Sequence, residues 1–168
     1  MRRVALRAAT VGLALVIAVV VVAVATRGHG PARARIAPAL PDEVLVGPRV
    51  GIDSVRGKPA VITFWASWCL PCESEAPTLE RFAQSPVGRG HLIGIDWSDA
   101  AGGAQGFIQR FGWTFPNLRD ATGTVGNSYG LSGLPTTFVI DAGGRIVATL
   151  PGPQTQESLE ASLRTASG

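Results

Sequence analysis

The sequence predicts an α/β fold with a central mixed β-sheet flanked by helices. A compact apolar run at residues 60–65, bounded by turn residues, is typical of a strand that is buried on both faces. After residue 69, apolar residues recur at three- and four-residue spacing, as they do on one face of a helix. Near the end of the chain, the segment TTFVIDAGGRIVATL predicts two strands joined by a tight turn, and a helical pattern follows. Together these patterns indicate parallel and antiparallel strands in one sheet.

The other elements follow from similar local patterns. β-Branched residues interrupted by glycine and proline at residues 44–52 indicate short strands or a β-hairpin at the start of the domain. Pro77 lies within the first helix and is expected to kink it, because proline lacks the backbone donor. The remaining predicted elements are a strand at 91–96, helices at 104–111 and 122–129, strands at 136–141 and 145–150, and a helix at 156–164.

The first 25 residues have the composition of a membrane segment. Three arginines precede residue 8, and residues 8–25 carry no charge. If the run is extended back to Val4, with Arg7 reaching the interface, it is long enough to cross a bilayer. This predicts an uncleaved signal anchor at residues 1–25. A cleaved signal peptide is the alternative, because Ala23-Val24-Ala25 has the small-x-small form of a cleavage site.

Residues 26–41 are rich in Pro, Gly, Ala and Arg and lack periodicity, which predicts a flexible linker. The folded domain is therefore expected at residues 42–168. The first 41 residues hold six arginines and no acid, whereas the rest of the chain has nine basic and twelve acidic residues. The domain thus lacks the clustered basic face of a nucleic-acid-binding protein, and no nucleic acid partner is expected.

The chain has two cysteines, Cys69 and Cys72, and their C-x-x-C spacing indicates redox chemistry rather than a structural cross-link. A disulfide between them would close a tiny loop, so it would add little stability through chain entropy. A structural zinc site needs four ligands, and the other candidates are His29 in the linker and His91 in a predicted strand. We therefore expect no metal and no cofactor other than the redox-active disulfide itself.

Cys69 follows a buried strand and opens a helix, with Pro71 at a position where a missing N–H matters little. Free N–H groups and the helix dipole favour a thiolate on Cys69 and lower its pKa below the ordinary value of about 8.5. Cys72 lies less than one helical turn further on. In the expected cycle, Cys69 attacks a substrate disulfide as the nucleophile, and Cys72 resolves the resulting mixed disulfide.

Three segments resemble a known family. The segment FWASWCLPCESEAP at residues 64–77 resembles the active site of the thioredoxin superfamily, in particular its membrane-tethered TlpA/ResA/CcmG (DsbE) branch. The segment YGLSGLPTTFVID at residues 129–141 resembles the cis-proline segment of that branch, and GWTFP at residues 112–116 resembles the end of its helical insertion. The resemblance covers about residues 40–165. It implies a thioredoxin-like fold with an N-terminal β-hairpin extension and a helical insertion.

The resemblance also implies roles for individual residues. Pro135 is the expected cis-proline beside the cysteines, and it leaves the backbone of Leu134 free to pair with an extended substrate segment. Trp68 and Pro71 are expected to contact the substrate as well. Glu75 matches the acidic residue that this branch places three residues after the second cysteine, so it is the candidate proton relay.

One position departs from the pattern of thioredoxins. Thr63 stands where thioredoxins have a buried aspartate just before the Phe-Trp of this strand, so this position cannot relay a proton. The departure favours the TlpA-like branch. Trp65, in the same strand, is expected to pack in the core.

Three functions are compatible with these observations. The first is a reductase in cytochrome c maturation, which keeps the haem-attachment cysteines of an apocytochrome reduced with electrons from a membrane thiol reductase. The second is an oxidative, disulfide-forming protein that acts on secreted substrates with a membrane oxidase. The third is a Cu(I)-binding metallochaperone, although no methionine other than Met1 is present to support it. A peroxidase is disfavoured, because the P-x-x-x-T-x-x-C pattern of peroxiredoxins is absent around Cys69.

The reductase is the preferred hypothesis. It places the domain on the outer side of the cytoplasmic membrane, where disulfide chemistry is sustained. The N-terminal segment would anchor it there, or the protein would be secreted if the signal is cleaved. The expected partners are proteins with thiols or disulfides, including apocytochrome c, a membrane thiol reductase or oxidase, and the membrane itself.

Overall fold

The structure is a computed structural model that describes residues 35–168. Within this range, seven strands form one sheet in the order β1-β7-β6-β3-β4-β5-β2. The strands are β1 (Arg35–Ile36), β2 (Glu43–Val46), β3 (Ala60–Trp65), β4 (Leu92–Trp97), β5 (Asn117–Asp120), β6 (Thr136–Ile140) and β7 (Arg145–Pro151). The helices are α1 (Leu70–Gln84), α2 (Ala101–Phe111), α3 (Thr124–Tyr129) and α4 (Gln156–Ala166). The predicted α/β fold with a mixed sheet is confirmed.

Strand β3 lies at the centre of the sheet, and all six of its residues are buried. It pairs in parallel with β4 and antiparallel with β6, so both of its backbone edges are hydrogen-bonded within the domain. Its continuous apolar sequence follows from this position, because neither of its faces meets solvent. Its polar residue Thr63 accepts a hydrogen bond from the Thr137 hydroxyl at 3.2 Å. The predicted central strand is confirmed, and Trp65 is fully buried as expected.

Helices cover both faces of the sheet. On one face, apolar side chains of α1, α2 and α4 form a buried cluster with Val61 and Trp65. On the other face, Phe64 packs against Tyr129 of α3 and Phe138 of β6, with ring centroids 5.2 and 5.6 Å away. Since β3 and β4 are parallel, their carboxyl ends meet at the same edge of the sheet. Helix α1 begins at that edge, directly after β3.

The predicted N-terminal β-hairpin is wrong. Strand β1 pairs antiparallel with β7 at one edge of the sheet, and β2 pairs antiparallel with β5 at the opposite edge. Strand β2 ends at Val46, because Gly47 adopts a left-handed φ of 77° and Pro48 then lacks a backbone donor. The chain continues into a 3₁₀ turn at Ile52–Val55 instead of a second hairpin strand. The N-terminal extension therefore supplies the edge strand on each side of the sheet rather than forming a hairpin.

Residues 35–41 belong to the folded domain, although their composition predicts the end of a flexible linker. Strand β1 occupies the first two of them, and the Ala37 N–H donates to the Gly144 carbonyl at 2.9 Å. The Tyr129 hydroxyl donates to the Pro38 carbonyl, also at 2.9 Å. Proline and alanine are common in linkers, but they can equally pack against a sheet edge that offers hydrogen bonds. The folded domain therefore includes residues 35–41, rather than beginning at residue 42.

The predicted signal anchor at residues 1–25 and the first part of the linker, residues 26–34, lie outside the described residues. Between residues 35 and 168, no helix is both long enough and apolar enough to cross a membrane. The anchor therefore stays a prediction from the sequence.

The sequence does not predict strand β5. Its residues, NLRD, lack the β-branched and aromatic side chains that are typical of strands. Asn117 and Asp120 are nevertheless buried, because each has a specific partner. Asn117 accepts a hydrogen bond from Trp65 Nε1 at 2.9 Å, and Asp120 accepts one from the Gly126 N–H at 2.8 Å. Helix α2 lies directly before residues 112–116, which the family resemblance marks as the end of a helical insertion.

Replacing Tyr129 with phenylalanine is expected to lower the free energy of unfolding by about 1 kcal/mol, because the Pro38 carbonyl loses its donor while the ring still packs. Urea denaturation of the oxidised protein measures the change. Ser128→Ala is the control, since that hydroxyl donates to Val125 of the same helix, and it is expected to have a smaller effect. An unchanged stability in Y129F would contradict the packing of residues 35–41 on the domain.

Candidate functional site

Cys69 and Cys72 form a disulfide at the start of α1, with 2.10 Å between their sulfur atoms. Cys69 is the N-cap residue, and the Cys72 N–H donates to its Sγ at 3.2 Å. Pro71 lies in the first turn, where helical N–H groups lack partners in any case. After reduction, the Cys72 N–H and the helix dipole stabilise a negative charge on Cys69 Sγ. Cys72 is also the more buried of the two, at 1% exposed against 5%. The geometry therefore favours Cys69 as the attacking thiolate.

A groove of about 610 Å³ lies beside the disulfide. Its wall contains Cys69 and three other predicted site residues, Trp68, Pro71 and Leu134. Among the described residues, no charged side chain lines it; the other lining residues are Leu70, Trp97, Asn127, Leu131, Ser132 and Gly133. Trp68 and Leu70 are 58% and 78% exposed, so a protein partner meets them first. The groove suits an extended segment whose side chains are uncharged.

The peptide bond between Leu134 and Pro135 is cis, as the family resemblance implied. Leu134 lies on the wall of the groove, whereas Pro135 is buried and does not line it. The Pro135 carbonyl accepts a hydrogen bond from the Gly152 N–H at 2.9 Å. In the part of the chain that the structure describes, neither the N–H nor the carbonyl of Leu134 takes part in a hydrogen bond. These two groups are therefore available to a substrate segment that adds to the site as a strand.

Glu75 lies three residues after Cys72 on α1 and is 2% exposed. Its Oε1 accepts a hydrogen bond from the Gln154 N–H at 2.7 Å, and no described donor bonds to its Oε2. Burial raises the pKa of Glu75 from 4.5 to about 7, and the hydrogen bond from Gln154 opposes this shift only in part. A carboxyl with a pKa near neutrality can both take up and release a proton. This is the behaviour that the predicted proton relay to Cys72 requires.

Trp97 also lines the groove, although no sequence pattern singled it out. Its ring centroid is 6.4 Å from that of Trp68, and its Nε1–H donates to the Gly123 carbonyl at 3.2 Å. One signal for it was present, because Trp97 ends a buried strand that runs parallel to β3 and so finishes at the same edge. Asn127 gave no such signal, since only the tertiary fold brings the end of α3 to the groove. Leu131 lies within the segment at residues 129–141 that resembles the cis-proline segment, but no role was predicted for it.

The described residues contain no group of three or more His, Cys, Asp or Glu side chains that could hold a metal ion. His91, which the sequence left as a candidate zinc ligand, lies with Nδ1 2.7 Å from the Pro59 carbonyl. The redox group that the structure does contain is the Cys69–Cys72 disulfide.

Comparison with known proteins identifies relatives of this chain. Residues 36–149 match the profile of the AhpC/TSA family. The thiol:disulfide interchange protein HelX of Rhodobacter capsulatus is 36% identical over 124 residues, which cover 72% of this chain and 69% of that protein. The thiol-disulfide oxidoreductase ResA of Bacillus thuringiensis is 31% identical over 121 residues, which cover 71% of this chain and 70% of the relative.

The solved structures include close matches to the fold. A thioredoxin-family thiol:disulfide interchange protein of Chlorobium tepidum superposes with a TM-score of 0.70 at 27% sequence identity. The match covers 83% of this chain and 100% of the other. The thioredoxin-like fold that the resemblance implied is therefore confirmed.

Replacing Glu75 with glutamine is expected to make the stability of the oxidised protein less dependent on pH. The pKa of Glu75 is about 7 in the folded protein and near its ordinary 4.5 in the unfolded chain, so folding takes up a proton between these values. The resulting stabilisation is complete below pH 4.5 and is lost as the pH rises through 7. Because the variant has no carboxyl to take up this proton, its free energy of unfolding should fall less between pH 4.5 and 7 than that of the wild type. Urea denaturation at a series of pH values measures the difference.

Glu73→Gln is the matched control for this experiment. Glu73 lies on the same helix but forms an ion pair with Arg110 at the surface. Its variant is expected to keep the pH dependence of the wild type. If E75Q shows the same slope as the wild type, Glu75 is not a buried group that titrates in this range.

Proposed function

The chain belongs to the AhpC/TSA family and is a thiol–disulfide oxidoreductase, and from this premise we propose that it is an extracytoplasmic reductase in cytochrome c maturation. The observation that carries the proposal is the disulfide at the start of α1, which lies on an uncharged groove with the unpaired backbone of Leu134 on its wall. The resemblance of residues 64–77 and 129–141 to the TlpA/ResA/CcmG branch supports the choice of pathway.

In the proposed reaction, the dithiol form of the protein reduces a disulfide in its substrate. The Cys69 thiolate attacks one substrate sulfur, the substrate S–S bond breaks, and the other substrate sulfur leaves as a thiolate and takes up a proton. Glu75, ionised at this stage, accepts the proton of Cys72. The Cys72 thiolate then attacks Cys69 Sγ, the mixed disulfide breaks, and the second substrate sulfur leaves as a thiolate that takes up a proton. Two electrons have passed to the substrate, and the Cys69–Cys72 disulfide remains.

The substrate that we propose is an apocytochrome c before its haem is attached. At that stage its haem-attachment segment, C-x-x-C-H, is unfolded and can bind in an extended form. An extended segment can pair with the backbone of Leu134 while its side chains contact the groove between Trp68 and Trp97. A membrane thiol reductase would then return the Cys69–Cys72 pair to the dithiol form.

The proposed location is the outer side of the cytoplasmic membrane. Its support is the uncharged run at residues 8–25 with three arginines before it, which is typical of a signal anchor. The outer side of the cytoplasmic membrane is also a compartment in which disulfide exchange has substrates. If the signal is cleaved, the same domain would act as a secreted protein.

The reduction potential of the cysteine pair is expected to lie near that of thioredoxin, about −270 mV, since a reductase must donate electrons to its substrate. Equilibration of the purified protein with redox buffers of known potential measures it. A value near that of DsbA, about −120 mV, would instead support the oxidative alternative, in which the protein forms disulfides in secreted substrates.

Cys72→Ser is expected to trap the mixed disulfide between Cys69 and the substrate, because the resolving thiol is missing. Capture from cells that assemble cytochrome c, followed by mass spectrometry, should recover an apocytochrome and a membrane thiol reductase. Cys69→Ser is the control and should trap neither. Recovery of assorted secreted proteins would contradict the reductase, and stoichiometric Cu(I) binding without reduction of insulin disulfides would favour a metallochaperone.

A further inference from the structure

The turn between β3 and Cys69 is held by the segment that follows β4. The Ser67 N–H donates to Asp99 Oδ2 at 2.6 Å, and the Trp68 Nε1–H donates to the Ser98 carbonyl at 3.4 Å. Ser67 and Trp68 immediately precede Cys69. A displacement of this turn therefore moves the sulfur that attacks the substrate.

Asp99 connects this turn to the start of α2. Its second oxygen, Oδ1, accepts a hydrogen bond from the Ala100 N–H at 2.7 Å. Helix α2 also packs directly against the turn, because a Cβ added at Gly103 would lie 2.6 Å from Ser67 Oγ. Both oxygens of Asp99 are thus bonded to backbone donors, and one of those donors belongs to the active-site turn.

Asp96, near the end of β4, interacts with Asp99 and is 0% exposed. No donor in residues 35–168 forms a hydrogen bond with either oxygen of the Asp96 carboxyl. Arg119 on β5 is in ionic contact with it, with 3.8 Å between Nε and Oδ2. The other guanidinium nitrogens of Arg119 bond to the Glu43 carboxylate at 3.1 Å and to the Asp99 carbonyl at 2.9 Å. Asp96 is therefore a buried carboxyl whose charge is only partly compensated.

The charged groups that face Asp96 are Asp99 from the loop after β4, Arg119 from β5 and Glu43 from β2. Its partner on β3 is the uncharged Trp65, and the first turn of α2 contributes no charge. Burial, followed by the charge of Asp99, raises the pKa of Asp96 from 3.8 to about 8, with Arg119 opposing the shift. With its pKa raised in this way, Asp96 is expected to hold a proton at neutral pH, and that proton can bridge the two carboxyls.

We propose that Asp99 is a positioning residue for Cys69, and that the protonated Asp96 carboxyl holds it in place by donating a hydrogen bond to it. When base removes the Asp96 proton, two negative carboxylates face each other in a buried site and repel. Asp99 then moves, and the active-site turn loses the acceptor of its Ser67 N–H. Cys69 takes part in disulfide exchange in both directions of electron flow. A displacement of the turn before it therefore affects a reductase and an oxidase alike.

The hydrogen bond at Ser67 can be followed directly in the oxidised full-length protein. The Ser67 ¹⁵N chemical shift, recorded in carbon-detected spectra that do not depend on the exchangeable proton, should titrate with a midpoint near the pKa of Asp96, about 8. In Asp96→Asn, a neutral donor to Asp99 is present at every pH, so this titration should be absent. Glu80→Gln is the control, because it alters a carboxylate elsewhere that accepts a hydrogen bond from the Thr114 N–H at 2.9 Å. In this variant, the Ser67 ¹⁵N shift should titrate as it does in the wild type.

The effect on the reaction can be separated from the ionisation of Cys69. The rate of reaction of the reduced protein with oxidised glutathione is measured over the same pH range and divided by the thiolate fraction, which ultraviolet absorbance gives. For the wild type, this rate per thiolate should fall by about tenfold as Asp96 ionises, a loss in keeping with a small displacement of a positioned group. D96N should show no fall, and Asp99→Asn should have the lowered rate at every pH.

Either measurement can contradict the proposed role of Asp99. A Ser67 shift that does not titrate in the wild type, or that titrates unchanged in D96N, removes the link between the two carboxyls. If D99N lowers the free energy of unfolding as E80Q does but keeps the wild-type rate per thiolate, Asp99 is structural only. If D99N does not fold, the wild type and D96N still decide the question. These results do not depend on the direction of electron flow, so they stand apart from the trapping and potential measurements.

Discussion

A hydrogen bond across the middle of the sheet ties its parallel strands together. Trp65 Nε1 of β3 donates to Asn117 of β5 at 2.9 Å, and the bond passes over Gly94 of β4. No side chain fits there, because a Cβ at Gly94 would lie 1.9 Å from Asn117 Oδ1. The Trp65 ring also packs against Phe107 and Trp113, with both centroids 4.8 Å away. The three strands are thereby held in register. The active-site helix, the groove and the Asp99 loop all lie at the edge of the sheet where these strands end.

Two buried carboxyls lie near the active site, in different elements of the fold. Glu75 lies within α1 after the cysteines, and Asp96 lies behind the turn that leads into them. Burial is the largest cause of the raised pKa in both, which reaches about 7 for Glu75 and about 8 for Asp96. Their surroundings differ, because Glu75 accepts one backbone hydrogen bond whereas Asp96 faces a second acid. The first arrangement suits proton exchange with a thiol, and the second suits a proton that stays shared between two carboxyls.

Local pattern and family resemblance predicted much of the site. The C-x-x-C pair, the cis bond before Pro135 and the burial of Trp65 all follow from short segments whose spacing is specific. Strand β5 could not be predicted in this way, because its burial depends on partners that lie far away in the chain, such as Trp65 for Asn117. The same holds for residues 35–41, whose linker-like composition says nothing about the sheet edge that β7 offers them.

The sequence by itself determined the chemistry of this protein: a disulfide pair at the start of a helix, with an acid three residues further on. These features lie within one segment, so local geometry and the helix dipole are enough to define them. Only the tertiary structure decided which groups surround that pair. The uncharged groove combines residues 68–71, Trp97, Asn127 and residues 131–134, which lie far apart in the chain. The Asp99 contact to the turn and the buried Asp96 come from the end of β4 and the loop after it. Their effect depends on distance and burial, which are set when the parallel strands end together.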